Sequence, residues 1–258
     1  MIVPSMTNLE ICDALFADRP KLQIRARAMI PRMAKQFKKE RKFPAWKWAE
    51  YTHQTSRNRY LISFCAPTLA QADNPIIDYI AFMEEDHQKI VIQWGCWPYR
   101  KFGSMEVIMM RAISYYCPHF FIRYRERVWK NLDISYNELL CRYFSRNKVN
   151  IPIEMNEVIQ RNYKEYGEAA AVSFQEPDGV CFIRHWCEGD EFSIGTENCD
   201  AIAVVYYMTI VTNSMMSELQ NKAIGKEGRR YLIDYYKRLY EDAKKDTIFR
   251  RLTEMNQR

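Results

Sequence analysis

HFFIRYRERVWK, residues 119–130, is the stretch on which the reading of this chain turns. At about 100° per residue, a helix here sets His119, Arg123, Glu126, Arg127 and Lys130 on one stripe roughly a third of the circumference wide. Phe120, Phe121, Ile122, Tyr124, Val128 and Trp129 fill the remaining arc, with Arg125 as its polar exception. The spacing therefore predicts a helix anchored by aromatics that displays a histidine, cations and a carboxylate together. Pro118 stands where such a helix can begin, and Asn131 with Asp133 where the next turn would start. Charged pairs on a solvated helix face contribute only about 0.2–0.5 kcal/mol each, so charge alone does not make a site. The His-x3-Arg-x3-Arg spacing adds an imidazole and two guanidiniums on successive turns. That set can grip a phosphodiester in two-pronged fashion and move a proton.

Downstream of this helix, Asp133-Ile134-Ser135 opens a second one, SYNELLCRYFSRN, with Leu139, Leu140, Tyr143 and Phe144 inward and Arg142 and Arg146 outward. EVIQRNYKEYG reads as a third helix ending at Gly167. Strands follow in AAAVSFQ, VCFIRHWCEG, EFSIGT and AIAVVYYMTIVT, with a Glu-Pro-Asp-Gly turn at 176–179. Two helical segments, NSMMSELQNKAI and the long run from Gly228, close the chain. Upstream, RYLISFCA, DYIAFMEE, QKIVIQWG and MEVIMMRAISYY read as strands, with a tight turn at Asp86-His87 and a loop at GCWPYRKFG. The predicted class is α+β, antiparallel sheets packed with helices. Its parts are a basic, mainly helical segment (1–59), a small antiparallel sheet region (60–117), an α+β region (118–220) and a C-terminal helix (221–258).

At 258 residues and 48% hydrophobic, the chain can bury one large core or two modest ones. Its net charge of +6 favours a polyanionic partner. The charge is concentrated. Lys21, Arg25, Arg27, Arg32, Lys35, Lys38, Lys39, Arg41, Lys42 and Lys47 face the single acid Glu40, with Leu22, Ile24, Ala28, Met29, Met33 and Phe37 interleaved at helical spacing. This predicts a basic amphipathic helix from Lys21 to Trp48, broken or bent near Pro31. Within it Lys35, Lys38, Lys39, Arg41 and Lys42 form a candidate phosphate-tracking arm. Trp46, Trp48, Tyr51 and Tyr60 among Lys47, Arg57 and Arg59 read as packing residues beside solubilising charges, with base stacking as the alternative.

Several chemistries are disfavoured. Eight scattered cysteines without a CxxC pair read as reduced thiols of a cytoplasmic protein. No secretory signal is visible, and no run of about 18 apolar residues predicts a membrane span. Cys181, His185, Cys187 and Cys199 do not have a structural-zinc spacing. The chain has no Gly-rich phosphate loop, HExxH or nucleophile elbow, so no metal or cofactor is expected.

The block PHFFIRYRERVWKNLDISYNELLCRYF, followed by antiparallel strands, resembles the helix–helix–sheet layout of small bacterial domains allied to the RelE, barnase and colicin type of ribonuclease. One branch of these carries His-x3-Arg-x3-Arg on its first helix and an Ile-Ser that starts the second. His119, Arg123, Arg127 and Ile134-Ser135 match in order. The similarity covers about residues 118–220; the chain departs from it by about twenty residues inserted after the second helix and over a hundred placed before the first. The resemblance implies metal-independent RNA cleavage through attack of the 2′-hydroxyl. It makes His119, Glu126 and His185 the proton carriers, and Arg123, Arg127, Lys130 and Arg184 the phosphate contacts. Thr209 and Thr212 would add hydroxyls. Strand alternation puts Arg184 and His185 on opposite faces, so only one of them can look into such a site. The expected partners are RNA or another polyanion, together with a protein partner, and no membrane. The alternative is a non-catalytic nucleic-acid or protein-binding module of a bacterial mobile element or phage, working through the basic helix and an aromatic-rich sheet.

Overall fold

Thr7 opens the first helix with a capping box: its hydroxyl accepts from the Glu10 amide at 3.2 Å and the Glu10 carboxylate accepts from the Thr7 amide at 2.8 Å. The computed structural model describes residues 1–100, 107–130, 133–148, 151–153, 172–190 and 201–215. Helix α1 (Asn8–Phe37) runs through both Pro20 and Pro31. Each proline forfeits one intrahelical hydrogen bond, but the helix buries Ile11, Cys12, Leu15, Leu22, Ala26, Met33 and Phe37, and tertiary packing of that face sustains it. Two expectations are corrected here. The helix is not broken at Pro31, and it stops at Phe37 rather than reaching Trp48. The next element, β1 (Ala45–Thr52), is a strand within the segment expected to be mainly helical. Its residues alternate sides, with Trp46 and Trp48 on one and Ala45, Ala49 and Tyr51 on the other.

From β1 the chain meanders through β2 (Arg59–Ala66), β3 (Ile76–Glu85), β4 (Gln88–Arg100) and β5 (Val107–Tyr116), each antiparallel to the last. Asp86 and His87 turn between β3 and β4 at φ 48° and 61°, the left-handed pair that a two-residue hairpin needs. Gly95 to Arg100, expected as a loop, instead extends β4, because β5 pairs with it as far as Arg100. Then come α2 (Pro118–Val128) and α3 (Tyr136–Arg146), the latter capped by Ser135, whose hydroxyl accepts from the Glu138 amide at 3.2 Å. β6 (Ile151–Ile153), β7 (Val172–Glu176), β8 (Gly179–Glu188) and β9 (Ile202–Val211) complete one nine-stranded sheet, ordered β1-β2-β3-β4-β5-β9-β8-β7-β6. The class is α+β, but the sheet is mixed. After the helices the chain pairs back inward from β6, and the three reversals on the way leave β9 parallel to β5. The helix expected over 157–167, the strand over 191–196 and the C-terminal helix lie outside the described residues.

Successive strand residues go to different helices. Tyr60, Ile62 and Phe64 pack with α1, whereas Leu61 packs with α2 and α3. The same split separates Ala81 from Ile80 and Val204 from Val205. The sheet is therefore the middle of three layers. On the α2–α3 side Tyr116 stacks on Tyr207 at 4.3 Å between ring centres, with Phe120, Phe121, Tyr143 and Phe144 edge-on or tilted around them. This is the apolar arc of the 119–130 stretch put to use. Ile122 alone of its large aliphatics stays out, at 51% exposed.

In the Glu-Pro-Asp-Gly turn between β7 and β8, Pro177 is exposed while Glu176 and Asp178 are buried under both helices. Tyr143 donates its phenol to the Glu176 carboxyl at 2.8 and 2.9 Å. Asp178 accepts from the Tyr124 phenol at 2.7 Å, from Asn147 at 3.1 Å and from the Arg146 guanidinium. Gly179 lies against the Val211 carbonyl of β9, where any side chain would collide. Among the described residues no helix is long and apolar enough to cross a membrane.

Candidate functional site

On α2 His119, Arg123 and Glu126 face solvent as their spacing requires, and Arg123 bonds Glu126 at 3.0 Å. The helix ends at Val128, so Lys130, expected on the same stripe, is exposed just beyond it with φ 39°. The His119 imidazole makes no hydrogen bond among the described residues. Arg127 behaves differently. Half-buried, it reaches across to β9 and donates to the Thr209 hydroxyl at 3.3 Å and to the Ile210 carbonyl. Its guanidinium is therefore a brace between helix and sheet. Replacing Arg127 by Lys should cost about 1 kcal/mol of stability, since both contacts run from Nη1, one bond farther from the backbone than a lysine Nζ, and hydrogen bonds of this kind are worth about that much net. Urea denaturation would show it as a lower midpoint with an unchanged slope, and an unchanged midpoint would mean that the brace contributes nothing.

The remaining members of that set are dispersed. Cys181 and Ile183 pack with α2 and α3, which puts His185 on their side of the sheet and Arg184 on the α1 side. His185 stacks on Trp97 with ring centres 6.4 Å apart and planes 12° off parallel. Burial lowers its pKa, which favours a neutral imidazole at neutral pH. Thr212 is buried, its hydroxyl 3.1 Å from that of Ser214. Among the described residues no hydrogen bond or ring contact joins His119 to His185, Arg184 or Thr212. Of the residues singled out in this half of the chain, the structure brings together Arg123 with Glu126 and Arg127 with Thr209. The described residues hold no group of three His, Cys, Asp or Glu side chains placed to bind a metal, and Cys199 is outside them.

The basic segment is more coherent. Lys21, Arg25, Arg32 and Lys35 recur at helical spacings, and at 3.6 residues per turn they fall within an arc of about 80°. All four are exposed, as are Arg27, Lys38, Lys39, Arg41 and Lys42. With a rise of about 1.5 Å per residue the line from Lys21 to Lys35 is about 21 Å long, and the loop cations extend it. Ten cations against one acid give residues 21–48 a net charge of +9; the whole chain carries +6, so the remainder is at −3. Lys38 pairs with Asp73 at 2.7 Å and Lys47 with Glu40. Among the described residues none of the other eight has a carboxylate partner. Arg25 lies over the Tyr51 ring, 6.0 Å from its centre.

One turn ahead of this line, α1 is tied to the sheet. Asp18 is buried and accepts from the Ser56 hydroxyl at 2.5 Å, the Tyr60 phenol at 2.6 Å and the Asn58 amide at 2.9 Å. His53 sits 3.4 Å from its other oxygen. The cations are thus carried on a helix clamped to the β1–β2 turn. Of the arm residues read from sequence, Lys35 is on the helix and Lys38, Lys39, Arg41 and Lys42 are beyond it. Lys21, Arg25 and Arg32 belong with them; their spacing of four, seven and three residues to Lys35 was the available signal.

No family model, curated protein or solved structure matches the chain.

Proposed function

We propose that this protein binds nucleic acid through its phosphates, using the exposed face of α1 and the loop that follows it. The observation that carries this reading is the uncompensated charge: residues 21–48 hold +9 while the rest of the chain is at −3. Cations left without carboxylate partners on a clamped helix are free to displace counterions from a polyanion, the main source of non-specific nucleic-acid affinity. A field of that sign also steers encounter. In fluorescence anisotropy at low salt, changing Lys39, Arg41 and Lys42 to Gln should weaken binding by at least tenfold, because each lost phosphate contact removes part of that gain. Affinity equal to wild type would remove the loop from the interface.

The shared solvent exposure of His119, Arg123, Glu126 and Lys130 favours a second reading, metal-independent phosphodiester cleavage at the α2 stripe. Purified protein incubated with total RNA in chelator tests it. Cleavage that His119→Ala abolishes, with binding intact, would support this reading. RNA that stays whole leaves the protein as a binding module.

A further inference from the structure

We infer that the ligand of the basic face is double-stranded nucleic acid, held by its backbone; the inference rests on the reading proposed above. Proteins that bind single strands add stacking platforms to their cationic grooves, because each base laid on an aromatic ring contributes about 1–3 kcal/mol. This face has none. Among the described residues Trp186 is the one exposed Phe, Tyr or Trp side chain. It lies at the other end of α1, where its indole nitrogen donates to Glu188 at 2.8 Å and Asn8 donates to the same carboxylate at 2.6 Å. Asn8 and Lys21 are about 20 Å apart along the helix, given its rise per residue.

Beside the cations, the rings at hand are spent on packing. Phe37 and Tyr60 are buried, and Phe43 and Tyr51 are half-buried against the α1 core, Tyr51 beneath Arg25. The exposed neighbours of the line are Ile24, Ala28 and Pro31, none of which offers a ring face for a base. What the helix presents is a straight, stiff row of charges about 21 Å long. A duplex is the matching ligand, because its phosphates are already fixed in a row, advancing about 3.4 Å per base pair along each strand. A flexible strand would have to be ordered against the row without any stacking gain in return. Lys and Arg contacts to phosphate carry no sequence information, so the affinity should be nearly independent of base order.

The test compares ligands of equal charge by anisotropy on the full chain: duplexes of about 20 base pairs, DNA and RNA, against single strands of about 40 nucleotides. At least one duplex should bind about tenfold more tightly than the single strand of the same sugar, and scrambling its sequence should change affinity by less than about threefold. The DNA and RNA arms show which duplex is preferred. Changing Lys21, Arg25, Arg32 and Lys35 together to Gln should abolish the preference, and circular dichroism would verify that α1 remains folded. Single strands bound as tightly as duplexes would overturn the inference and leave nucleic-acid binding standing. Binding to neither would overturn both.

Discussion

Replacing Asp178 by Ala should lower the unfolding free energy by about 3–5 kcal/mol, the usual cost of removing one member of a buried ion pair. The carboxylate gathers α2 and α3 onto the β7–β8 turn through Tyr124, Arg146 and Asn147, and its loss leaves the Tyr124 phenol and the Asn147 amide without their acceptor. Arg146 is 42% exposed and can turn to water, which puts the expected cost toward the lower end of that range. Burial alone would raise the Asp178 pKa; hydrogen bonds from Arg146 and Tyr124, the Arg146 charge and the Asn147 bond hold it below its ordinary value. Its contribution is therefore present above the pKa of the unfolded chain and is lost as pH falls through the folded value. Asp178→Asn keeps an acceptor for Tyr124 and should fall between wild type and Asp178→Ala. A loss under about 1 kcal/mol for Asp178→Ala would mean that the turn is held by apolar packing alone.

Glu176, two residues away, should show the opposite pH dependence. Burial pushes its carboxyl up to about 8 from an ordinary 4.5, with the Tyr143 and Cys181 hydrogen bonds only partly offsetting. The folded protein thus keeps this group protonated at a pH where the unfolded chain has released the proton. Its stabilising contribution is complete below pH 4.5 and drains away as pH rises through about 8. Glu176→Gln preserves an acceptor for Tyr143 and removes the titration. Denaturant curves across that window should show wild type losing up to about 1.4 kcal/mol per pH unit relative to the Gln variant. Parallel stability–pH profiles for the two proteins would place the ionisation elsewhere.

Local signals were legible where they were strong. The 119–130 stretch gave a helix that buries Phe120, Phe121 and Tyr124, and Pro118 and Ser135 stand at the helix starts read from them. Asp86-His87 gave its hairpin. What escaped depends on partners distant in sequence. The parallel pairing of β5 with β9 joins Tyr116 to Tyr207 across ninety-one residues, and no periodicity encodes that choice. β1 was hidden because each of its faces mixes aromatic and charged residues, Trp46, Trp48 and Glu50 on one and Lys47 and Tyr51 on the other, and Gly95 to Arg100 looked like a loop because glycine and proline are read without knowledge of the strand waiting beside them. The basic segment was visible as composition. That its charges form one line on a clamped helix required the Asp18 contacts with Ser56, Asn58 and Tyr60, which lie about forty residues on.

The salt dependence of binding bears most directly on the role of that line. For duplex DNA, log affinity should fall linearly with log salt, and each neutralised phosphate contributes about 0.9 to the slope. Changing Lys21, Arg25, Arg32 and Lys35 to Gln should therefore flatten the slope by roughly three to four units, with the melting temperature unchanged because all four side chains are exposed. A variant slope equal to that of wild type would contradict the account, since the phosphates would then be neutralised by some other part of the chain.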